Sequence, residues 1–213
     1  MSSFLSQYGS QILSLTVEHL WLTGAAMLIA AGIGIPLGIL LTRHQGWAKP
    51  VLGLANILQT IPSLAMFGFL LPLPWLGESA ARIAIVALTA YALLPIIRNT
   101  YAGIRGIDPA IADVAKAIGM SDMQKLFKVE LPLSASFILA GLRTATVICV
   151  GIATIAAAVG AGGLGELIFR GVASVDNRLV LAGALPAAGL ALAADGLLGL
   201  VEHWVRVPSA ARS

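Results

Sequence analysis

One charged stretch interrupts an otherwise apolar chain, and its residue types are suited to binding at a surface. Residues 113–134 read DVAKAIGMSDMQKLFKVELPLS. Three Lys, two Asp and one Glu fall within the 18 residues from Asp113 to Glu130, while the flanking sequence is mostly Leu, Ala, Ile, Val and Gly. Such side chains cap helices and form ion pairs, so the stretch predicts a compact, charged, helix-forming segment outside the apolar segments.

Two further charges, Arg143 and Asp195, stand alone inside long apolar segments. Ionisable residues within a membrane are costly and are therefore candidates for function. Arg143 follows Leu131 by 12 residues and Asp195 precedes Arg206 by 11, which places both roughly 16–18 Å along their helices. Opposite charges at similar depth predict an ion pair. The alternative is that each side chain bends separately towards the membrane surface.

Residue types that support catalysis or metal binding form no usable pattern. His19, His44 and His203 have no ligand spacing between them, so we predict no metal site. Cys149 is the single cysteine, which excludes an intramolecular disulfide. The chain has no Gly-x-x-x-x-Gly-Lys-Ser/Thr motif, and the GAGGLG run at 160–165 lacks the following Lys. We therefore expect no ATP site and no cofactor bound by this chain.

The elements that position these residues are predicted to be membrane helices. Of the 213 residues, 58% are hydrophobic and 11% are charged, whereas a soluble domain carries about 25% charged residues. Crossing a bilayer takes roughly 20 apolar residues. Five segments qualify: 20–42, 51–73, 83–101, 131–159 and 179–201. The sequence predicts an all-α integral membrane protein with one domain over 1–213, whose segment 102–130 is an extramembranous loop.

The distribution of Lys and Arg predicts the orientation. With the N-terminus outside and the C-terminus in the cytoplasm, nine basic residues lie on the cytoplasmic side, three lie outside and Arg143 lies in a span. That asymmetry favours this orientation over the reverse, which makes the 102–130 loop cytoplasmic. Because the basic residues are scattered singly, we expect no nucleic-acid partner.

The residues before Leu20 are too polar to span. Apolar residues recur there at helical spacing, which predicts an amphipathic helix lying on the outer membrane surface. They are Phe4, Leu5, Tyr8, Ile12 and Leu15. No Lys or Arg precedes Arg43, so we expect no cleaved signal peptide and insertion directed by the first span.

The charged stretch predicts two short helices set at an angle. Asp108 and Pro109 form a helix start, and Gly119 forms a helix stop. Between them an apolar stripe runs along one face; it consists of Ile111, Val114, Ala115 and Ile118. Ser121 with Gln124 predicts a capping box for the second helix, and Pro132 is expected to open the fourth span. Helices this short need a surface to dock on, either their own membrane domain or a partner.

The spacing of this stretch resembles the signature loop of ABC-importer permeases. That signature is Glu-Ala-Ala, three residues, Gly, nine residues, then Ile-x-Leu-Pro. Here Asp113-Val114-Ala115 stands for the triplet, Gly119 for the glycine and Val129-Glu130-Leu131-Pro132 for the ending. The departures are Asp for Glu, Val for Ala and Val for Ile. They bear on individual contacts of the first acidic residue and leave the spacing intact.

The resemblance implies the type I (MetI-like) permease fold and a coupling role for the loop. In that family the loop docks in a groove of a separate cytoplasmic ATPase, which holds ATP and Mg. The positions that carry over are Asp113, Val114, Ala115, Lys116, Ile118, Gly119, Leu131 and Pro132. The implied partners are two ATPase subunits, a second permease (a copy or a homologue) and an external substrate-binding protein, in a bacterial-type plasma membrane. The chain itself is expected not to be an enzyme.

Two other stretches are similar to permeases for glycine betaine, choline and carnitine. They are LANILQTIPSLAMFGFLLPL at 54–73 and GLRTATVICVGIATIAAAVGAGGLGELIFRGV at 141–172. The resemblance implies ATP-driven import of an osmoprotectant. Three alternatives stay open: a permease for an amino acid such as methionine, a channel or secondary transporter that needs no ATPase, and a membrane scaffold.

Candidates for the pathway or its gate come from polar, aromatic and glycine positions. Asn56, Gln59 and Ser63 share a helical face beside Pro62, which is expected to kink its helix. Aromatic rings would suit a quaternary ammonium, and Phe67 and Tyr91 are the candidates retained. Glycines in the 160–165 run are expected to act as hinges or points of close approach, namely Gly160, Gly162 and Gly163. Residues 166–178 predict a short outer helix.

Overall fold

The structure, a computed structural model, describes residues 2–205, with side chains from Tyr8 onwards. Every regular element in that part of the chain is helical. The helices are α1 (Ser2–Arg43), α2 (Gln45–Thr60), α3 (Ser63–Leu70), α4 (Ala80–Arg105), α5 (Pro109–Ala117), α6 (Asp122–Lys125), α7 (Leu131–Ala156), α8 (Gly165–Ala173) and α9 (Asn177–Val205). A π-helical turn, Leu126–Glu130, joins α6 to α7, and a 3₁₀ turn, Ala157–Val159, follows α7.

Four helical segments within residues 2–205 are long and apolar enough to cross a membrane, and α2 with α3 makes a fifth if the bent pair is one span. They correspond to the predicted segments, with one correction. The second predicted span, 51–73, is not one helix, because the chain bends by 99° between α2 and α3. Ile61 is extended at ψ 127° and Pro62 follows at ψ 134°. The expected kink at Pro62 is therefore a complete break.

The core forms around α4, which packs against α1 on one side and α7 on the other. Glycines let these helices approach closely. A Cβ added at Gly38 of α1 would lie 2.6 Å from Thr100 Cβ, and one at Gly141 of α7 would lie 2.8 Å from the Pro95 carbonyl oxygen. Small residues at such crossings are how membrane helices gain packing contacts. The α1–α4–α7 unit is the frame that positions the loop at its end.

The expectation of a separate surface helix before Leu20 is wrong. The chain runs as one helix from Ser2 to Arg43, with no break at the start of the span. The apolar stripe packs on protein instead: Leu15 is buried against Leu164 of α8 and Leu179 of α9, and Tyr8 and Ile12 pack beside it. A protein surface is available to cover the stripe, so the segment continues as part of α1. Phe4 and Leu5, the first two members of the predicted stripe, precede Tyr8 and so fall outside the part of the chain whose side chains are described.

Candidate coupling surface

Helix α5 begins and ends where the sequence predicts. The Asp108 carboxylate accepts a hydrogen bond from the Ala110 N–H at 2.9 Å, and Pro109 occupies the first turn. At the other end Gly119 is left-handed, with φ +78°. Its N–H donates to the Lys116 carbonyl at 2.9 Å, which satisfies one of the carbonyls at the helix end. The glycine lies in open space, so backbone conformation alone is the reason for its residue type.

Helix α6 starts with the predicted capping box. The Ser121 N–H donates to Gln124 Oε1 at 2.9 Å, and the Gln124 N–H donates to Ser121 Oγ at 3.3 Å. Pro132 lies in the first turn of α7, as predicted, but no gap precedes that helix, because α6 continues through the π-helical turn into α7. The Leu131 N–H reaches back to the Leu126 carbonyl. A wider turn here suits the missing N–H of Pro132, so the second short helix is fused to the fourth span.

Five large apolar side chains of this loop are exposed, and together they form what we call the apolar loop surface. Its members are Ile111 (42% exposed), Val114 (61%), Ile118 (67%), Met123 (63%) and Phe127 (59%). Ala115 of the predicted stripe is buried, while Asp113 and Lys116 are exposed beside it. The loop therefore does not hide its apolar face against its own membrane domain. Several large apolar side chains exposed on one short loop, with charged residues beside them, are typical of a protein-binding site.

A buried ionic cluster holds the base of this loop. The Glu130 carboxylate accepts hydrogen bonds from both terminal nitrogens of Arg43, one of them at 3.0 Å, and lies 3.5 Å from the Lys125 ammonium. The Glu130 side chain is only 8% exposed, compared with 35% for Arg43 and 11% for Lys125. It ties the end of α1 to the junction between α6 and α7. Arg43 and Glu130 are 87 residues apart, so no local sequence pattern predicts this cluster.

The two charges within spans form an ion pair. Arg143 Nε and one terminal nitrogen donate to the two oxygens of Asp195, at 2.5 and 2.6 Å. Glu202, which the sequence analysis did not select, lies 3.6 Å from the other terminal nitrogen. Gly199, between the two acids on α9, leaves room for the guanidinium, because a Cβ there would lie 3.2 Å from Arg143 Nη1. The i, i+4, i+7 spacing of these three α9 residues is the signal that could have predicted the third partner.

Comparison with known proteins assigns the family. Residues 34–207 match the family described as binding-protein-dependent transport system inner membrane component. The chain belongs to this family. It is a multi-pass inner-membrane subunit of an ABC importer and is not itself the ATPase, as the sequence predicts. The family works with an ATPase subunit and a substrate-binding protein.

Relatives named as osmoprotectant permeases match this permease over most of its length. It is 41% identical over 200 residues to the choline transport system permease protein OpuBB of Bacillus subtilis, covering 94% of this chain and 91% of that one. It is 45% identical to the glycine betaine/carnitine/choline permease protein OpuCD of Bacillus subtilis, covering 95% and 88%. The osmoprotectant import permease protein OsmW of Salmonella typhimurium is 44% identical over 87% of each chain.

Solved structures confirm the predicted MetI-like fold. An inward-facing structure of the MetNI methionine ABC transporter aligns with a TM-score of 0.83, at 22% identity, over 92% of this permease and 97% of that chain. An amino acid ABC transporter aligns with a TM-score of 0.67, at 20% identity, over 94% and 96%. At this level of identity the likeness concerns the fold alone.

Two of the predicted pathway residues, Gln59 and Tyr91, form hydrogen bonds at the break in the second span. The Gln59 side-chain amide donates to the Tyr91 carbonyl at 2.9 Å. The Tyr91 hydroxyl in turn donates to the carbonyl of Ile61, the residue at the bend. The two hydrogen bonds join the end of α2 and the residue at the bend to α4. The Gln59 amide and the Tyr91 hydroxyl, predicted as pathway groups, thus form hydrogen bonds that stabilise the bend.

The other pathway candidates on these helices divide into core and surface. Phe67 is fully buried and Tyr91 is 4% exposed, so in this conformation neither lines a surface of the chain. Asn56 is exposed on α2, and Ser63 is half-buried at the start of α3. Asn56 and Ser63 are therefore the candidates that the fold leaves accessible.

The glycine run forms a tight loop before α8. Gly160, Gly162 and Gly163 all have left-handed φ values, between +76° and +82°. The Gly163 N–H donates to a carboxylate oxygen of Glu18 at 3.2 Å, and a Cβ at Gly163 would lie 3.2 Å from Nδ1 of the fully buried His19. Close approach to α1 thus requires glycine here. Glu18 and His19 were missed because their partners lie about 145 residues away along the chain.

Proposed function

We propose that this permease imports an osmoprotectant such as glycine betaine, choline or carnitine. Relatives named for the transport of these compounds are 40–45% identical to it over more than nine-tenths of its length. Glycine betaine, choline and carnitine share a quaternary ammonium group, which unites them as one substrate class. This permease supplies one half of the membrane passage, and an external binding protein delivers the substrate to it.

We further propose that the apolar loop surface docks on a cytoplasmic ATPase. The observation that supports this docking is the exposure of Val114, Ile118 and Met123 outside the spans, at 61–67%. Two ATPase subunits, which bind ATP and Mg, serve two permeases, either two copies of this chain or this chain and a homologue. Closure of the ATPase pair moves the loop and opens the pathway towards the loaded binding protein. This scheme requires the N-terminus outside and the C-terminus in the cytoplasm.

The fusion of α6 to α7 supports transmission of that movement. A flexible connection would absorb a displacement of the loop, whereas a continuous helix carries it into the membrane. The junction is helical from Asp122 to Ala156, including its π-helical turn. The Glu130 contacts with Arg43 and Lys125 brace the junction from the side. A displacement of α6 on docking therefore moves α7, because the two helices are continuous.

Co-purification with the ATPase tests the docking site. We expect Val114→Glu to abolish association, since it places a charge in the centre of the apolar loop surface, and Gly119→Asp to weaken it by straining the end of α5. Val172→Glu on α8 is the matched control, because that valine is similarly exposed, at 64%, but lies at the other end of the membrane helices. Equal association of all three variants would exclude the loop as the docking site.

Uptake into proteoliposomes tests the substrate. The vesicles contain the complete transporter, with the binding protein outside and ATP inside, and receive labelled glycine betaine, choline, carnitine or methionine. We expect ATP-dependent uptake of at least one of the three quaternary ammonium compounds and none of methionine. Uptake of methionine alone would contradict the substrate class. Uptake that persists with an inactive ATPase would instead indicate a channel or secondary transporter.

A further inference from the structure

A half-open cavity of about 290 Å³ lies where the loop meets the ends of the membrane helices, and we call it the basal cavity. Its charged lining consists of Arg43 at the end of α1, Arg105 at the end of α4, and Lys125 and Glu130 at the α6–α7 junction. Its volume is close to the lower end of small-ligand sites, roughly 300 Å³. It is therefore large enough for a compact charged group.

The charge of the lining is unbalanced. Three cationic side chains face one carboxylate, a net charge of +2 on the walls. Glu130 is already occupied by Arg43 and Lys125, and the nearby Asp108 carboxylate is occupied by capping α5. Asp122 acts on Arg43 electrostatically but does not line the cavity. The excess positive charge is left facing the space.

Unused hydrogen-bond donors accompany this charge. Lys125 has three N–H donors, and its one ion pair among the described residues is with Glu130, at 3.5 Å. Arg105 is exposed and forms no ion pair or side-chain hydrogen bond with any residue from 8 to 205. Its five donors are a fixed planar array that suits two oxygens of a phosphate group. N–H donors of Arg105 and Lys125 that have no acceptor among the described residues favour binding of an anion with several oxygen atoms.

The position and the remaining walls favour the phosphate of an amphiphile or a small ester. The cavity lies at the ends of spans, where lipid head groups lie, and Ile104 and Val129 provide apolar wall. Basic pockets between membrane helices on one side of the bilayer bind anionic head groups. We propose that the basal cavity binds a phosphate mono- or diester, with Arg105 and Lys125 as the principal contacts.

Such binding would add a further connection between the loop and the spans, besides the continuous α6–α7 junction and the Arg43–Glu130 contact. Arg105 belongs to α4 and Lys125 to α6, so one phosphate held by both bridges the core helix and the loop. The Arg43–Glu130 contact already joins α1 to the same junction. An occupied cavity therefore stiffens the loop against the membrane domain. This proposal concerns the anion alone and does not depend on which substrate is transported.

Native mass spectrometry and thermal unfolding of the permease–ATPase complex in nanodiscs test the proposal. One series has phosphatidylcholine alone, a second adds phosphatidylglycerol, and a third adds glycerol phosphate to the phosphatidylcholine discs. If the source is lipid, we expect retention of phosphatidylglycerol and a rise in melting temperature in the second series. If the source is soluble, the rise occurs in the third.

Arg105→Gln is the test variant, and Arg98→Gln is its matched control. Both arginines are exposed on α4, but Arg98 does not line the basal cavity. We expect Arg105→Gln to weaken the effective ligand about fivefold, as the loss of one interfacial cation does, and Arg98→Gln to leave it unchanged. Equal weakening by both variants would indicate nonspecific charge attraction and overturn the site. So would the absence of any response to either phosphate source in the wild-type complex.

Discussion

Removing the charge of Glu130 should destabilise the permease more than any exposed acidic substitution. Glu130→Gln keeps the size of the side chain but leaves Arg43 and Lys125 without a counter-charge. Breaking a buried ion pair by removing one partner costs about 3–5 kcal/mol. Glu130 is buried, at 8% exposed, but Arg43 is 35% exposed, and an exposed pair contributes only about 0.2–1 kcal/mol. Between these limits we expect a loss of about 2–3 kcal/mol.

A double-mutant cycle with Arg43→Gln isolates the interaction from its surroundings. Glu130→Gln leaves Arg43 and Lys125 without their counter-charge, and Arg43→Gln leaves Glu130 paired with Lys125 alone. The double variant removes both members of the Arg43–Glu130 pair and keeps Lys125. We expect the double variant to be more stable than the sum of the single effects predicts, by about 1–2 kcal/mol. Unfolding in mixed micelles with increasing SDS, followed by tryptophan fluorescence, gives the free-energy differences. Trp47, close to the end of α1, makes the measurement sensitive to this region.

Glu78→Gln is the control for the loss of a carboxylate. Glu78 faces Arg82 at 4.0 Å, with side chains 77% and 60% exposed, so its removal should cost less than about 0.5 kcal/mol. If Glu130→Gln is no more destabilising than this control, or if the cycle shows strict additivity, the base of the loop is not held by the ionic cluster. The junction between α6 and α7 would then have no ionic support from α1, and transmission of a loop movement into α7 would depend on the continuous helix alone.

Substitutions at three other long-range contacts are compared by folded yield and by thermal unfolding in detergent. Reversing either charge of the Arg143–Asp195 pair should sharply reduce folded yield, and exchanging the two residues should partly restore it; no restoration would contradict a structural pair. Gly163→Ala should cost about 1–2 kcal/mol because its φ is left-handed, while the open, helical Gly151→Ala should not destabilise. Tyr91→Phe leaves the carbonyl at the α2–α3 break without its donor, a cost of about 1–3 kcal/mol; an unchanged melting temperature would show that the hydrogen bond is dispensable.

Features with local causes could be predicted from the sequence. The last three spans follow from the lengths of their apolar segments, and α4, α7 and α9 lie close to the predicted bounds. The caps of α5 and α6 follow from residue types a few positions apart: Asp108 with Pro109, Gly119, and Ser121 with Gln124. Each of these signals acts within one or two helical turns, so a single sequence contains the whole cause.

Features with distant partners could not be predicted. Pro62 signals a kink, but the chain bends there by 99°, and the carbonyl of Ile61 at the bend accepts a hydrogen bond from the hydroxyl of Tyr91, 30 residues further along the chain. The stripe that includes Leu15 looks like a membrane-surface helix until α8 and α9 are present to cover it. Arg143 and Asp195 are an informative exception. Charged residues are so rare within the predicted spans that the similar positions of these two along their helices are enough to predict the ion pair, without knowledge of the fold.

The positions of the ionic contacts bear on how a movement of the loop would spread. Helix α7 is connected at its base to α1 through Glu130 and Arg43, and further along to α9 through Arg143 and Asp195. The second connection lies 12 residues beyond Leu131, or about 18 Å along the helix. The first contact resists movement of the base of α7 against α1, and the second resists movement of α7 against α9. These two contacts are therefore the ionic routes by which a displacement that enters α7 from α6 would reach its neighbours. By contrast, α5 joins α6 through Gly119, and strain that is not transmitted would collect at that glycine.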